Sequence, residues 1–100
     1  MYNFVYNVYM ENTWRESKRQ SNIRDHGFYF VDAERLFDGP MWVIEDTREA
    51  YGEQRFVAFG LIEGRFVACV YVHTDEGRHI ISLRKGTKYE ERAYFHLLTN

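Results

Sequence analysis

The segment Arg78–Lys88 contains residue types that bind and cleave phosphodiesters. It has four positively charged residues and no acidic residue. Arg84 offers a bidentate guanidinium, Lys85 a point charge, and His79 an imidazole that can accept or donate a proton. These groups suit a surface that receives a phosphate. The alternative is a solvated strand whose charges discourage edge pairing, and spacing alone favours that alternative.

A second polar group consists of Glu53, Arg55 and Tyr71. Arg55 opens one predicted strand, and Tyr71 lies in the next strand with His73, so these side chains can converge. Cleaving RNA without a metal needs a base for the 2′-hydroxyl, an acid for the leaving oxygen and a cation for the phosphorane. Tyrosine, histidine, glutamate, arginine and lysine supply all three. Ordinary cross-strand pairing is the alternative explanation.

Metal and cofactor sites are not predicted. Cys69 stands alone, and no metal-ligand spacing connects the histidines, which are His26, His73, His79 and His96. There is no glycine-rich phosphate loop and no nucleophile elbow. We therefore expect chemistry by side chains alone.

Composition predicts one globular domain, residues 1–100, with 45% hydrophobic and 18% aromatic residues. The net charge of −2 excludes a nucleic-acid polycation. A single cysteine excludes a disulfide within the chain and fits a reducing compartment. No apolar run is long enough to span a membrane, and the start lacks a signal-peptide pattern. The expected location is the cytoplasm, without membrane contact.

The N-terminal part predicts helices after a short appendage. Residues 2–9 alternate and predict a strand within an N-terminal extension, 1–10. Thr13 and Glu16 form a capping-box pattern, so a helix is expected from there to His26, ended by a glycine. A second short helix follows from the apolar spacing over 30–37, and an Asp-Gly-Pro turn ends it.

The rest of the chain predicts four strands and a closing helix. The expected strands are Met41–Glu45, Arg55–Ile62, Arg65–Thr74 and Arg78–Lys85. Residues 48–54 read as a loop, and the short turns make neighbouring strands antiparallel. In the last strand, alternation puts one set of side chains on one face, namely His79, Ile81, Leu83 and Lys85. The opposite face receives Ile80, Ser82 and Arg84.

Thr87 and Glu90 form a second capping box, which begins the closing helix. Its predicted apolar face consists of Ala93, Tyr94, Leu97 and Leu98. The predicted fold class is therefore α+β: N-terminal helices, a four-stranded antiparallel meander and a C-terminal helix.

Several motifs in order over residues 14–94 resemble the BrnT toxin family. The N-terminal motifs are Trp14, Lys18, Asn22, His26-Gly27, Phe30, Ala33, Phe37-Asp38 and Pro40. The strand motifs are Tyr51-Gly52-Glu53, Arg55, Gly60, Val70-Tyr71, Ile81-Ser82, Arg84-Lys85, Thr87, Glu90 and Tyr94. The chain departs from the family pattern at Arg15, where aspartate is usual, at Leu83 within the Ile-Ser-Ala-Arg motif, and at His79, where arginine is expected.

The resemblance implies a RelE-like fold and a ribonuclease toxin of a type II toxin–antitoxin pair. The implied partner is a BrnA-like antitoxin with a ribbon-helix-helix DNA-binding motif, and the pair represses its own operon. The toxin itself would bind RNA, and DNA only through the antitoxin. The alternative functions are a catalytically weak or inactive module that only complexes the antitoxin, and a plain structural domain.

The candidate catalytic residues are Glu53, Arg55, Tyr71, His79, Arg84 and Lys85. We expect Arg84 and Lys85 to hold the phosphate and Arg55 to stabilise the transition state. We expect His79, Glu53 or Tyr71 to transfer protons, and the sequence does not indicate which of them is the base or the acid. The candidate RNA-binding residues are Arg78, Arg84, Lys85 and Lys88.

Overall fold

The computed structural model describes residues 11–99, and the strand predicted at 2–9 lies outside them. The strands are β1 (Glu11–Trp14), β2 (Trp42–Asp46), β3 (Arg55–Ile62), β4 (Arg65–His73) and β5 (Gly77–Lys85). The helices are α1 (Glu16–His26), α2 (Ala33–Asp38), which follows a 3₁₀ turn over Phe30–Asp32, and α3 (Lys88–Thr99). The described residues thus form a mixed α+β fold with one five-stranded sheet, ordered β1-β5-β4-β3-β2.

The meander from β2 to β5 is antiparallel, as predicted. The prediction of four strands was wrong, because β1 adds a fifth strand that runs parallel to β5. Glu11 lies opposite Gly77, and its N–H donates to the Glu76 carbonyl at 3.1 Å. A Cβ at Gly77 would overlap the backbone of Glu11, so glycine is what allows β1 to approach.

The predicted capping box at the start of α1 was also wrong. Thr13 belongs to β1, and the residue at the helix N-cap is Arg15, which makes no side-chain capping bond. Glu16 instead pairs with Arg19 within the helix. Pairing with a strand more than sixty residues away overrides the local capping pattern. The predicted end of the helix is confirmed, since Gly27 closes it with φ 75°.

Two apolar clusters fill the two faces of the sheet. The face covered by α1, the 3₁₀ turn and α2, here the helix face, contains Phe28, Phe30, Ala33, Leu36, Ala58, Ile62, Val67, Cys69, Tyr71, Ile80 and Leu83. The opposite face, here the α3 face, contains Val57, Phe59, Phe66, Ala68, Val70 and Tyr94. The central strands β3 and β4 therefore contribute alternate side chains to both clusters.

A β-bulge in β5 changes which side chains share a face. Val70 lies opposite Ser82 while Tyr71 lies opposite Ile80, so Ile81 has no direct partner. The alternation predicted for this strand was therefore wrong. His79, before the bulge, and Arg84, after it, both lie on the α3 face, whereas simple alternation predicts that they lie on opposite faces.

Asn22 attaches α1 to the edge of β5 beyond the point where β1 ends. Its Nδ2 donates to the carbonyls of Leu83 at 2.7 Å and Phe28 at 3.1 Å, and its Oδ1 accepts from the Leu83 N–H at 3.0 Å. The side chain thereby replaces the missing neighbour strand for Leu83. As a result, the first turn of α1 lies beside the start of β5.

The capping box predicted for α3 is confirmed by two hydrogen bonds. The Thr87 N–H donates to Glu90 Oε1 at 2.8 Å, and the Glu90 N–H donates to Thr87 Oγ1 at 3.1 Å. Tyr94 is buried and donates to the Pro40 carbonyl at 2.7 Å, whereas Leu97 and Leu98 are about half exposed. Only part of the predicted apolar face therefore packs on the sheet. Within residues 11–99, no helix has the length and apolar character needed to cross a bilayer.

Candidate functional site

A polar cleft of about 330 Å³ opens where the starts of β3, β5 and α1 meet. We call it the basic cleft, and it is lined by Arg15, Lys18, Glu53, Arg55, His79, Ile80 and Ile81. β3 and β5 both run antiparallel to β4, so they begin at the same end of the sheet. This topology brings together three of the predicted catalytic residues, Glu53, Arg55 and His79.

Arg55 is held on two sides in this cleft. Its Nε donates to Glu53 Oε2 at 3.1 Å, and its guanidinium lies 4.0 Å from the centre of the Tyr51 ring. The bond to Glu53 uses Nε, which leaves both terminal amino groups for a bidentate contact with a phosphate. The ring and the carboxylate together fix the orientation of the guanidinium.

The loop that contains Tyr51 is held by a buried carboxylate, which the sequence reasoning missed. Asp46 accepts from Arg48 Nη2 at 2.7 Å and Nε at 2.8 Å, and from the Tyr51 hydroxyl at 3.2 Å. The hydrogen bond from Arg48 lowers the pKa of Asp46 to about 2. This ion pair therefore fixes the platform under Arg55.

His79 is oriented by Thr13 from the neighbouring strand. Thr13 Oγ1 lies 2.9 Å from His79 Nδ1. This contact fixes the orientation of the imidazole ring, with Nε2 as its other nitrogen. The sequence pattern predicted that Thr13 caps a helix. Its contact with His79 depends on the long-range pairing of β1 with β5, which the local pattern does not indicate.

Arg15 and Lys18 are cleft residues that the sequence reasoning did not place in the site. They are three residues apart, so they lie on one side of the start of α1. This spacing could have indicated a shared site, but the predicted helix began at the wrong residue. Neither forms an ion pair with a carboxylate in residues 11–99. With Arg55 they give three permanent positive charges against the single carboxylate of Glu53, so the cleft attracts an anion.

Tyr71 and Arg78 lie on the helix face, away from the basic cleft. Tyr71 is 3% exposed and packs at 5.3 Å between ring centres against Phe37, and burial raises the pKa of its hydroxyl. The Arg78 guanidinium lies 4.0 Å from the centre of the same Phe37 ring. Both residues therefore pack against the helix layer.

Arg84 links the sheet to α3. Its Nη1 and Nη2 donate to the two carboxylate oxygens of Glu90 at 2.9 and 3.0 Å, and Arg84 lowers the pKa of Glu90 to about 2. Lys85 and Lys88 line a different groove at the far end of the sheet. The structure therefore separates these three predicted residues from the basic cleft.

No three His, Cys, Asp or Glu side chains among residues 11–99 lie close enough together to hold a metal ion. Cys69 is fully buried, and desolvation raises the pKa of its thiol well above the usual range. It is accordingly a core residue.

Comparison with known proteins supplies the family. A family model described as "Ribonuclease toxin, BrnT, of type II toxin-antitoxin system" matches residues 14–90. The 1.1 Å crystal structure of the Brucella abortus ribonuclease toxin BrnT superposes with a TM-score of 0.63 at 26% sequence identity, covering 80% of this chain and 100% of that one. Among curated protein sequences, no match was found. The chain belongs to the BrnT family of ribonuclease toxins of type II toxin–antitoxin systems.

Proposed function

We propose that this chain is an endoribonuclease that cleaves RNA at the basic cleft by side-chain chemistry, without a metal. One observation carries the proposal: the cleft brings a histidine, a carboxylate and three permanent cations around one space of about 330 Å³. These are the base, acid and phosphate-binding groups that transesterification of RNA requires.

In the proposed reaction, the 2′-oxygen attacks the adjacent phosphorus and the bond to the 5′-oxygen breaks. Glu53, the one carboxylate among the lining residues, accepts the 2′-hydroxyl proton. His79, held at Nδ1 by Thr13, donates a proton from Nε2 to the leaving 5′-oxygen. The products are a 2′,3′-cyclic phosphate and a free 5′-hydroxyl, and one proton has moved from substrate to enzyme and one from enzyme to product.

The negative charge that develops on the phosphorane is stabilised by the cations of the cleft. Arg55 is pre-oriented by Glu53 and Tyr51, so it binds the non-bridging oxygens at little reorganisation cost. Arg15 and Lys18 complete the positive wall. Arg84 acts differently in this proposal, because its donors already engage Glu90 and hold α3 on the sheet.

Membership in a type II toxin–antitoxin family implies that an antitoxin is the partner of this chain. We propose that it is a BrnA-like ribbon-helix-helix protein, so that this chain meets DNA only through its partner and the pair represses its own operon. In this proposal the toxin is a single domain over residues 1–100 that acts on RNA in the cytoplasm.

The test compares Arg55→Ala with Arg24→Ala, which removes an exposed arginine outside the cleft. Expression without antitoxin should arrest growth for the wild type and for Arg24→Ala, and Arg55→Ala should relieve the arrest. In vitro, loss of a pre-oriented donor is expected to reduce the cleavage rate about 10²–10³-fold. Cleavage should persist in excess chelator and should leave a cyclic phosphate. Intact RNA with the folded wild-type protein, and antitoxin binding retained, would establish the inactive partner-binding module instead.

A further inference from the structure

The cations without a carboxylate partner are concentrated at two places. The chain has 13 lysines and arginines, and all lie in the described residues. Seven form ion pairs with acidic side chains. The six without such a pair in residues 11–99 are Arg15, Lys18, Arg65, Arg78, Lys85 and Arg92. Two of these line the basic cleft, and two more line a second groove.

The second groove, here the distal groove, has a volume of about 400 Å³ and lies where β4 begins and β5 ends. Its charged lining residues are Arg65, Lys85, Lys88 and Glu91, and His26 also lines it. Lys88 lies 3.9 Å from Glu91 and is 85% exposed, so this pair is weak and solvated. Three permanent positive charges thus face one carboxylate, and the groove is an anion-binding surface.

The walls of the distal groove are fixed by packing. The Arg65 guanidinium lies 4.8 Å from the centre of the Phe28 ring, which holds it in place. The Gly86 N–H donates to the Phe66 carbonyl at 3.0 Å, and a Cβ at this glycine would overlap the Phe66 ring. The chain therefore leaves β5 close against β4, which keeps Lys85 beside Arg65.

The separation of the two sites follows from β5. His79 lies in the basic cleft and Lys85 in the distal groove, six residues along the strand, or about 20 Å at about 3.3 Å per residue. α1 runs between the sites, with Lys18 near its start and His26 at its end. A stacked strand advances about 3.4 Å along its axis per phosphate, so about six stacked nucleotides span this distance.

We propose that the distal groove binds the phosphate backbone of the RNA substrate about six nucleotides from the scissile bond. The inference rests on the proposed function, because that function places RNA cleavage in the basic cleft. The two sites together grip the strand at two points, and the phosphate charge is recognised without reading bases.

The test measures binding of 2′-O-methyl oligonucleotides, which lack the attacking hydroxyl and stay intact. A dinucleotide reaches only the basic cleft, whereas a decanucleotide reaches both sites. The variant Arg65→Gln/Lys85→Gln should lower affinity for the decanucleotide about 25-fold at ~0.1 M salt and reduce its salt slope by about 1.4, at about 0.7 per phosphate contact. Affinity for the dinucleotide should not change. Arg92→Gln is the matched control, since Arg92 also forms no ion pair with an acidic side chain among the described residues and lies outside both sites.

A second variant, Lys85→Gln/Lys88→Gln, changes two exposed side chains and serves if loss of the Arg65 ring contact impairs folding. Equal loss of affinity for both oligonucleotides, or no loss for either, would overturn the proposal. Loss of antitoxin binding with unchanged decanucleotide affinity would show that the groove is a protein surface. Failure of the proposed function has a different signature, namely an unmodified dinucleotide that the wild-type protein binds but leaves uncut.

Discussion

Replacing Asn22 with alanine should destabilise the protein far more than a change on a helix usually does. Asn22 is 4% exposed, and its amide satisfies three buried backbone groups: the N–H and carbonyl of Leu83 and the carbonyl of Phe28. Each group left without a partner costs about 1–3 kcal/mol, so Asn22→Ala, which leaves three of them, should lower the free energy of unfolding by at least about 3 kcal/mol. That is a large share of the total stability of a small domain, about 5–15 kcal/mol.

The assay is equilibrium urea unfolding of the wild type, Asn22→Ala and Ser21→Ala. Ser21 is the neighbouring helical residue, and within residues 11–99 its hydroxyl bonds only the Lys18 carbonyl, so Ser21→Ala should shift stability by less than about 0.5 kcal/mol. Asn22→Asp should be at least as damaging as alanine, since it removes both donors and aims a carboxylate at two carbonyls. A loss below about 1 kcal/mol for Asn22→Ala would refute the role of this side chain as the edge partner of β5.

Three further outcomes follow from particular contacts. Thr13→Val should reduce the single-turnover cleavage rate about fivefold without a matching change in RNA affinity, because it removes one hydrogen bond of about 1 kcal/mol. Thr13→Ser keeps the hydroxyl and should restore the rate. An unchanged rate for Thr13→Val would mean that Thr13 does not orient His79. Because the folded-state pKa of Glu90 is depressed from 4.5 to about 2, its contribution to stability is complete above the unfolded value and is lost as pH falls through that interval. Glu90→Gln should therefore flatten the stability profile between about pH 5 and pH 2 in urea titrations, and a profile parallel to wild type would contradict the ion pair. Gly77→Ala should displace β1 from β5, because the added Cβ overlaps the backbone of Glu11, and should lower the free energy of unfolding by about 1–3 kcal/mol and abolish cleavage. A variant as stable and active as the wild type would disprove the close approach of the two strands.

Much of the fold was predictable because its signals are local. The bounds of β3 agree with the structure, and β4 and β5 differ from their predicted bounds by one residue. Turns, a glycine C-cap and the Thr87–Glu90 capping box depend on residues a few positions apart, so a single sequence displays them. The family also followed from short motifs in order, and the family model matches residues 14–90.

The candidate site was only partly predictable because its members meet through long-range pairing. Glu53, Arg55 and His79 are named by chemistry, and the parallel direction of β3 and β5 brings them together. Arg84 and Lys85 share the same charged segment, yet Arg84 binds Glu90 and Lys85 lies at the end of the strand in the distal groove. Charge along a strand therefore identifies phosphate-binding residue types but does not say which of them share a cleft.

By itself, the sequence determined the antiparallel meander, the closing helix and the chemical character of the site, since alternation, capping and residue type are properties of neighbouring positions. Only the tertiary structure decided that residues 11–14 form a strand, that Thr13 contacts His79 and that Arg15 and Lys18 enter the basic cleft. The physical reason is that a four-residue edge strand has little stability of its own. It exists because Gly77 lets it pair with β5, and that contact joins residues 66 positions apart.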